Sequence, residues 1–153
     1  MLKNLTLWIA VLPLLLLSSC KCSGESSQPQ VSIGEHVWRV EIADDEQTRR
    51  QGLADRDEIP EGTGMLFVFP REDILTFHML NCRAAIDIAF ISSDGAIVQI
   101  YTMAVEKDPK KAASLRLYSS VHPAQYALEV AAGTFKQLDI KPGDKVVLPI
   151  GVP

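Results

Sequence analysis

The sequence lacks the residue patterns that mark metal, phosphate and nucleic-acid sites. It has only three cysteines and three histidines, without a close pair of the CxxC or HExxH kind, so we predict no metal site and no other cofactor. No glycine-rich loop opens a helix, which disfavours a phosphate cradle. The 19 acidic residues exceed the 15 basic ones, and no basic stripe is visible. Nucleic acid is therefore not an expected partner.

A long membrane-spanning run is also missing, but the amino-terminal end has the layout of a secretory signal. Lys3 precedes an apolar run at residues 5–17 that is shorter than the roughly 20 residues of a spanning helix and contains Pro13. Residues 17–20, Leu-Ser-Ser-Cys, resemble a bacterial lipobox. The resemblance implies cleavage before Cys20, a diacylglyceryl thioether on that cysteine and usually an acylated amino terminus. An ordinary signal peptide cleaved nearby is the alternative.

This layout divides the chain into three parts. We predict a lipoprotein signal peptide at 1–19, the lipidated cysteine with a flexible tether at 20–32, and a single β domain at 33–153. Loss of Lys3 with the signal changes the formal net charge from -4 to -5. The predicted location is the bacterial cell envelope, outside the cytoplasm, with the membrane as a partner through the lipid on Cys20. The periplasmic face of an outer membrane is favoured because Lys21, not Asp, follows Cys20.

Short alternating or apolar segments separated by turns predict a mainly β domain, a compact sandwich or barrel with one or two short helices. The predicted strands are 37–42, 65–69, 75–80, 86–91, 96–102, 126–130 and 146–148. Asp94-Gly95 predicts a hairpin turn. A helix is expected from an N-cap at Asp44 to Gly52, and one helical turn within 135–140. The polar segment 104–120 is expected to be a solvated loop.

Five blocks, in order, resemble domain-of-unknown-function family 192. They lie at residues 48–56, 64–69, 77–81, 86–91 and 127–133. In the family these blocks read approximately Arg-x-x-Gly-Leu-Met-x-Arg, Gly-Met-Leu-Phe, Phe-Trp-Met-Lys-Asn-Thr, Leu-Asp with a hydrophobic strand, and Leu-Glu-Val with Gly. The resemblance covers nearly the whole predicted domain. It implies an all-β, jelly-roll-like fold, often on an envelope-directed chain, and no established activity.

The chain departs from the family pattern at four positions. Ala54, His78, Leu80 and Cys82 stand where the pattern has Met, Trp, Lys and Thr. If the aromatic residue and the lysine of the pattern line a ligand site, that site is altered in this chain.

Polar residues inside or beside the matched blocks are the candidates for a ligand site: Arg49, Arg56, Asn81, Asp87 and Glu129. Asp87 and Glu129 interrupt otherwise apolar strands, where an unpaired buried carboxylate is costly. One interpretation pairs Arg49 or Arg56 with Asp87 or Glu129 and so fixes a loop to the sheet. The other makes these residues a ligand-binding cluster.

The apolar and sulfur-containing residues of these segments are interpreted as core. Five could line a hydrophobic cavity, although burial statistics favour packing: Met65, Phe67, Phe69, Phe77 and Met79. Cys82 is expected to be buried and inert, with a bridge to Cys22 as the alternative. In an extended segment His78 would lie about 13 Å from Cys82, which disfavours a thiol nucleophile.

With no catalytic motif in view, we predict a lipid-anchored binding or assembly accessory module of unknown activity. Its partner would be an unknown small molecule or an envelope protein. The alternative is an enzyme that acts on an envelope polymer, with two of Asp87, Glu129 and His78 sharing one cleft as acid and base groups.

Overall fold

The structure, a computed structural model, describes residues 28–106 and 115–152. Its elements are β1 (Gln30–Ile33), β2 (His36–Ala43), α1 (Glu46–Gln51), β3 (Thr63–Asp73), β4 (Thr76–Phe77), β5 (Ile86–Ile91), β6 (Ile97–Met103), β7 (Tyr118–Ser119), β8 (Ala124–Ala131), α2 (Thr134–Gln137) and β9 (Val146–Val147). The predicted mainly β domain with two short helices is confirmed. Neither helix is long and apolar enough to cross a membrane.

The predicted signal peptide and the predicted lipidation site at Cys20 fall at residues 1–27, outside the described residues. β1 begins at Gln30, within the range 20–32 that we assigned to the tether, because its four residues pair with β2.

Seven of the strands form one curled sheet in the order β6-β5-β8-β3-β2-β1-β9, and β4 pairs with β7 in a small second sheet. Neighbours in the large sheet are antiparallel except β2 and β3, which run parallel. Ala96, just before β6, bridges to Lys145, just before β9. The amide of Val146 donates to the carbonyl of Gly95 over 2.8 Å. The two outer strands thus meet at one end, and the sheet forms a half-barrel.

The sheet is buried on both faces, which we call inner and outer. The inner face carries a core with residues from all seven strands, including Leu66, Leu128 and Ala89, and α2 adds Phe135. The outer face carries a second core with Met65, Phe67, Ile88 and Phe90, covered by residues outside the large sheet such as Leu53, Met79 and Tyr118. Successive residues of a strand point to opposite faces. The central strands therefore read as continuous apolar runs.

Three local predictions were wrong in detail. The N-cap of α1 is Asp45 instead of Asp44, because the Asp45 carboxylate accepts from the amide of Thr48 over 2.9 Å. Only Thr76–Phe77 of the predicted strand 75–80 is extended, because the chain then turns through a left-handed Asn81. Part of the predicted loop 104–120 forms β7, which pairs with β4; residues 107–114 lie outside the described ranges.

Candidate functional site

A cavity of about 330 Å³ lies on the outer face, bounded by β3, β8, α1 and the segment 76–82. This volume is within the range of small-molecule pockets. Three aromatic rings form one wall: the ring of Phe77 packs edge-on against Phe67 at 4.9 Å and against Phe69 at 6.4 Å between centroids. We call this space the Glu129 cavity, after the carboxyl group in its lining.

Two glycines allow close approaches near the cavity, and Gly52 is part of its lining. Gly52 ends α1 with a positive φ of 50°, and a Cβ there would lie 3.3 Å from the Phe67 ring. Gly64 in β3 faces β8 so closely that a Cβ would lie 2.3 Å from the backbone oxygen of Glu129. Only glycine permits this approach of the two backbones. The matched blocks therefore contain glycines where the structure requires them.

Arg49 is held in place at the cavity by its surroundings. Its Nη1 donates hydrogen bonds to the backbone oxygens of Asp44 and of Val68, the latter over 2.9 Å. Its guanidinium carbon lies 5.2 Å from the centroid of the Phe69 ring, a cation–π contact. The Nε and Nη2 groups make no hydrogen bond with any described residue. Arg49 thus joins α1 to β3 and keeps donors for another partner.

Glu129 is the only carboxyl group of the outer core among the described residues. It lies between Met65 of β3 and Ile88 of β5, is 5% exposed, and has no hydrogen bond or ion pair within the described chain. Burial raises the pKa of Glu129 to about 8. The group is therefore mostly a neutral carboxylic acid at pH 7, with one O–H to donate.

Cys82 and His78 line the same cavity, because the chain turns back between them with the Cys82 amide bonded to the Met79 carbonyl over 3.2 Å. The extended geometry assumed from the sequence was wrong for this segment. Cys82 is a half-buried free thiol; Cys22 lies outside the described residues. Burial, with the charges of Glu129 and Asp55, raises the pKa of Cys82 to about 11. A thiol held protonated is a poor nucleophile.

The predicted site residues are separated by the fold. Arg49 and Glu129 line the cavity together. Arg56 instead makes a bidentate ion pair with Glu41 on β2, with N to O distances of 2.6 and 2.8 Å. The predicted pairing of an arginine with Asp87 or Glu129 was wrong, because Glu41 is the carboxylate within reach. Asn81 is exposed, and its carbonyl accepts from the amide of Asp55 over 2.9 Å, which joins the two loops beside the cavity.

Asp87 lies on the inner face and is 1% exposed. Its Oδ1 accepts from Thr102 Oγ1 over 2.6 Å, and its Oδ2 accepts from the amide of Phe135 over 3.0 Å. The carboxylate therefore attaches the start of α2 to the sheet. Asp87 is one register step from Glu129 in the paired strands β5 and β8, yet the sheet lies between their side chains. The two carboxyl groups cannot serve one ligand.

Sequence reasoning missed part of the lining. Glu46 and Arg50 form an exposed ion pair at the cavity, and their spacing of four residues in a helix was an available signal. Phe67 was interpreted as core and belongs both to the core and to the cavity wall. The four positions that depart from the family pattern all line the cavity: Ala54, His78, Leu80 and Cys82.

The lining does not form a metal centre. Within residues 28–106 and 115–152, no three His, Cys, Asp or Glu side chains are grouped so that they could hold a metal ion. The chemistry that this lining offers is therefore hydrogen bonding, charge and aromatic contact.

The fold and the cavity define a half-barrel β domain with a pocket of ligand size on its outer face. The chain belongs to the DUF192 family, described as an uncharacterized ACR, whose profile matches residues 29–148. A Sinorhizobium meliloti 1021 protein described as a "putative transcription regulator" is 32% identical, with a TM-score of 0.70 over 81% of this chain and 97% of that one. A Novosphingobium aromaticivorans DSM 12444 protein of unknown function is also 32% identical, with a TM-score of 0.69 over 78% and 83%. No curated protein matches the chain.

Proposed function

We propose that this chain is a lipoprotein of the bacterial cell envelope whose β domain binds a small molecule in the Glu129 cavity. The observation that carries the binding role is the carboxyl group of Glu129, which is buried, unpartnered within the described chain and part of the cavity lining. No fully buried side-chain N or O atom among the described residues lacks a hydrogen-bond partner, so the unpartnered carboxyl oxygens of Glu129 are open to solvent in the cavity. A ligand in the cavity could therefore reach them and form hydrogen bonds with them. The acidic balance of the chain favours a small molecule over nucleic acid.

Binding can be tested by thermal unfolding of the full chain in a nonionic detergent, with a panel of small anions, cations, sugars and peptides. A ligand at 100 times its dissociation constant adds about 2.7 kcal/mol, which should raise the midpoint by several degrees. Ala54→Phe, which fills the cavity, should abolish the shift, whereas Ala132→Phe on the exposed surface should not. A panel without any shift would count against a small-molecule site and favour an envelope protein as partner.

The membrane anchor has a separate test. Cys20→Ser should block processing and lipid attachment, while Cys22→Ser, two residues along the tether, should be processed normally. Mass spectrometry of the mature amino-terminal peptide would read the acyl chains directly. An unmodified Cys20 in the mature protein would contradict the lipoprotein assignment. Fractionation of the membranes would then decide between an outer and an inner membrane location.

A second candidate is an acid–base enzyme that acts on an envelope polymer. The observation in its favour is that Glu129, with its pKa near neutral, and His78 line one cavity. Asp87 no longer belongs to this candidate, since its side chain is on the inner face. Products released from isolated cell-wall material could be followed by mass spectrometry. Turnover that persists unchanged in Glu129→Gln would exclude this mechanism.

A further inference from the structure

We propose that the ligand of the Glu129 cavity is a small organic carboxylate, a monoanion on an apolar body, held jointly by Arg49 and Glu129. The inference rests on the proposed binding function of this cavity and adds the chemical class of the ligand. Three features of the lining carry it: a restrained guanidinium with donors to spare, a carboxyl group able to donate, and aromatic walls.

Arg49 is positioned to hold an anion. The bonds of Nη1 to two backbone oxygens and the stacking on Phe69 fix the plane of the guanidinium before any ligand arrives. The remaining N–H groups are donors without a partner in the described chain. A guanidinium matches a carboxylate in geometry and forms charge-assisted hydrogen bonds with it. Because the plane is already fixed, little side-chain entropy is lost on binding.

Glu129 favours an anion over a cation. Burial alone raises the pKa of this group, so at neutral pH it is a hydrogen-bond donor without negative charge. A ligand carboxylate can accept that hydrogen bond. An ammonium ligand offers no acceptor, and it would gain an ion pair only if Glu129 first ionised in an apolar setting.

The charge of the lining agrees with this preference. The titratable and charged groups that line the cavity are Glu46, Arg49, Arg50, His78, Cys82 and Glu129, and the carboxylates of Asp45 and Asp55 lie near it. Glu46 and Arg50 form an ion pair, so their opposite charges cancel. Glu129 and Cys82 are protonated at neutral pH, and His78 carries no negative charge. Asp55 is paired with Arg83 over 3.5 Å. The pKa of Asp45 is lowered mainly by the hydrogen bond from the Thr48 amide, and Asp45 lies close enough to Arg49 for that charge to contribute. Arg49 makes no ion pair with a described residue, so its positive charge suits one negative charge on the ligand.

The remaining surface selects the body of the ligand. Phe67, Phe69 and Phe77 present ring faces and edges, so a flat or branched apolar group would be covered by aromatic contact. A volume of about 330 Å³ admits a single ring with a carboxylate.

Three compounds with the same ring and different head groups test the inference: benzoate, benzamide and benzylamine. Isothermal titration of the full chain in a nonionic detergent at pH 6.5 should give benzoate at least tenfold tighter binding than the other two. Amide NMR shifts at residues 52–54 and 77–82 should locate it in the cavity. Equal or tighter binding of benzylamine or benzamide there would overturn the carboxylate and leave the binding function intact. No binding by all three would overturn the carboxylate, and the wider panel described above would then decide the binding function separately.

The pH dependence gives a second, independent readout. Benzoate stays ionised, whereas Glu129 loses its proton above pH 8, so affinity should fall about tenfold between pH 7 and pH 9. Glu129→Gln keeps a donor and cannot ionise, so its affinity should change less than twofold. Tightening toward pH 9 in the unmodified chain would contradict the proposal.

Arginine variants test the anion contact. Arg49→Met should weaken benzoate binding at least tenfold. Arg116→Met is the matched control, because Arg116 also lies over an aromatic ring, 5.0 Å from Tyr118, but outside the cavity lining. Equal losses in both variants would overturn a role for Arg49. Comparison of 3-phenylpropanoate with N-acetylphenylalanine, which adds a peptide group beside the carboxylate, would show whether the natural source is a free acid or the carboxyl end of a peptide.

Discussion

Two acidic residues interrupt the apolar strands at the centre of the sheet, and the fold treats them differently. The two carboxylate oxygens of Asp87 on the inner face each accept one hydrogen bond, from the Thr102 hydroxyl and the Phe135 amide. The second of these bonds attaches α2 to the sheet. Glu129 on the outer face is also buried, at 5% exposure, but faces a cavity instead of a donor. A buried carboxylate with protein donors is a structural element, whereas a carboxyl group that has no protein donor and faces a cavity is a candidate for ligand binding.

The largest effect is expected at Gly64 of β3, which approaches the backbone of Glu129 in β8. Gly64→Ala would place a methyl group 2.3 Å from the Glu129 carbonyl oxygen. The strands must separate, and the free energy of unfolding in urea should fall by about 3 kcal/mol or more. Gly34→Ala is the control, since its φ is +58° but its Cβ would meet nothing within 4 Å. Equal losses in the two variants would show that the close approach contributes nothing.

Asp87→Ala tests whether the carboxylate on the inner face has a structural role. It would leave the Thr102 hydroxyl and the Phe135 amide without an acceptor in the core, and should lower the free energy of unfolding by roughly 3 kcal/mol. Asp87→Asn retains an acceptor and should cost less. Denaturant unfolding at pH 7 measures both. A cost below about 0.5 kcal/mol for the alanine variant would contradict a structural role for this carboxylate.

Glu129→Gln tests whether the carboxyl group on the outer face is buried in its neutral form, through the pH dependence of the free energy of unfolding. The folded state holds a proton on Glu129 up to about pH 8, whereas the unfolded chain releases it near its ordinary pKa. The stability that this proton contributes is therefore fully present below the unfolded pKa and falls as the pH rises, by roughly 2 kcal/mol between pH 5.5 and 7.5. The glutamine variant should lose this slope. Glu58→Gln, at an exposed position, should keep it; the same slope in all three proteins would contradict a buried neutral Glu129.

The smallest change in the free energy of unfolding is expected for the exposed ion pair between Arg56 and Glu41. The Arg56–Glu41 ion pair is bidentate, and the hydrogen bonds from Arg56 lower the pKa of Glu41. Because both side chains are substantially exposed, Arg56→Met should cost no more than about 1 kcal/mol. Raising the salt concentration should reduce even this difference in denaturant unfolding. If Arg56→Met lowered the free energy of unfolding as much as Asp87→Ala, the exposed carboxylate pair would contribute as much as the buried carboxylate, contrary to this prediction.

Local patterns predicted much of the fold. Alternation and apolar runs placed the cores of β2, β3, β5, β6 and β8, and Asp94-Gly95 marked the turn between β5 and β6. Those signals come from residues close together in the chain, which is why they could be interpreted alone. The parallel pairing of β2 with β3 and the pairing of β4 with β7 join distant residues. Neither leaves a local signal, and both escaped prediction.

The sequence by itself determined that the domain is mainly β, which apolar strands are interrupted by an acid, and that Arg49 and Glu129 belong among the candidate site residues. It could not separate Glu129 from Asp87, since both read as an acid in an apolar strand. Strand pairing decided that question: in the register that joins Glu129 to Ile88, the neighbouring Asp87 must point to the opposite face. Only the tertiary structure then supplied donors to one carboxyl group and a cavity to the other.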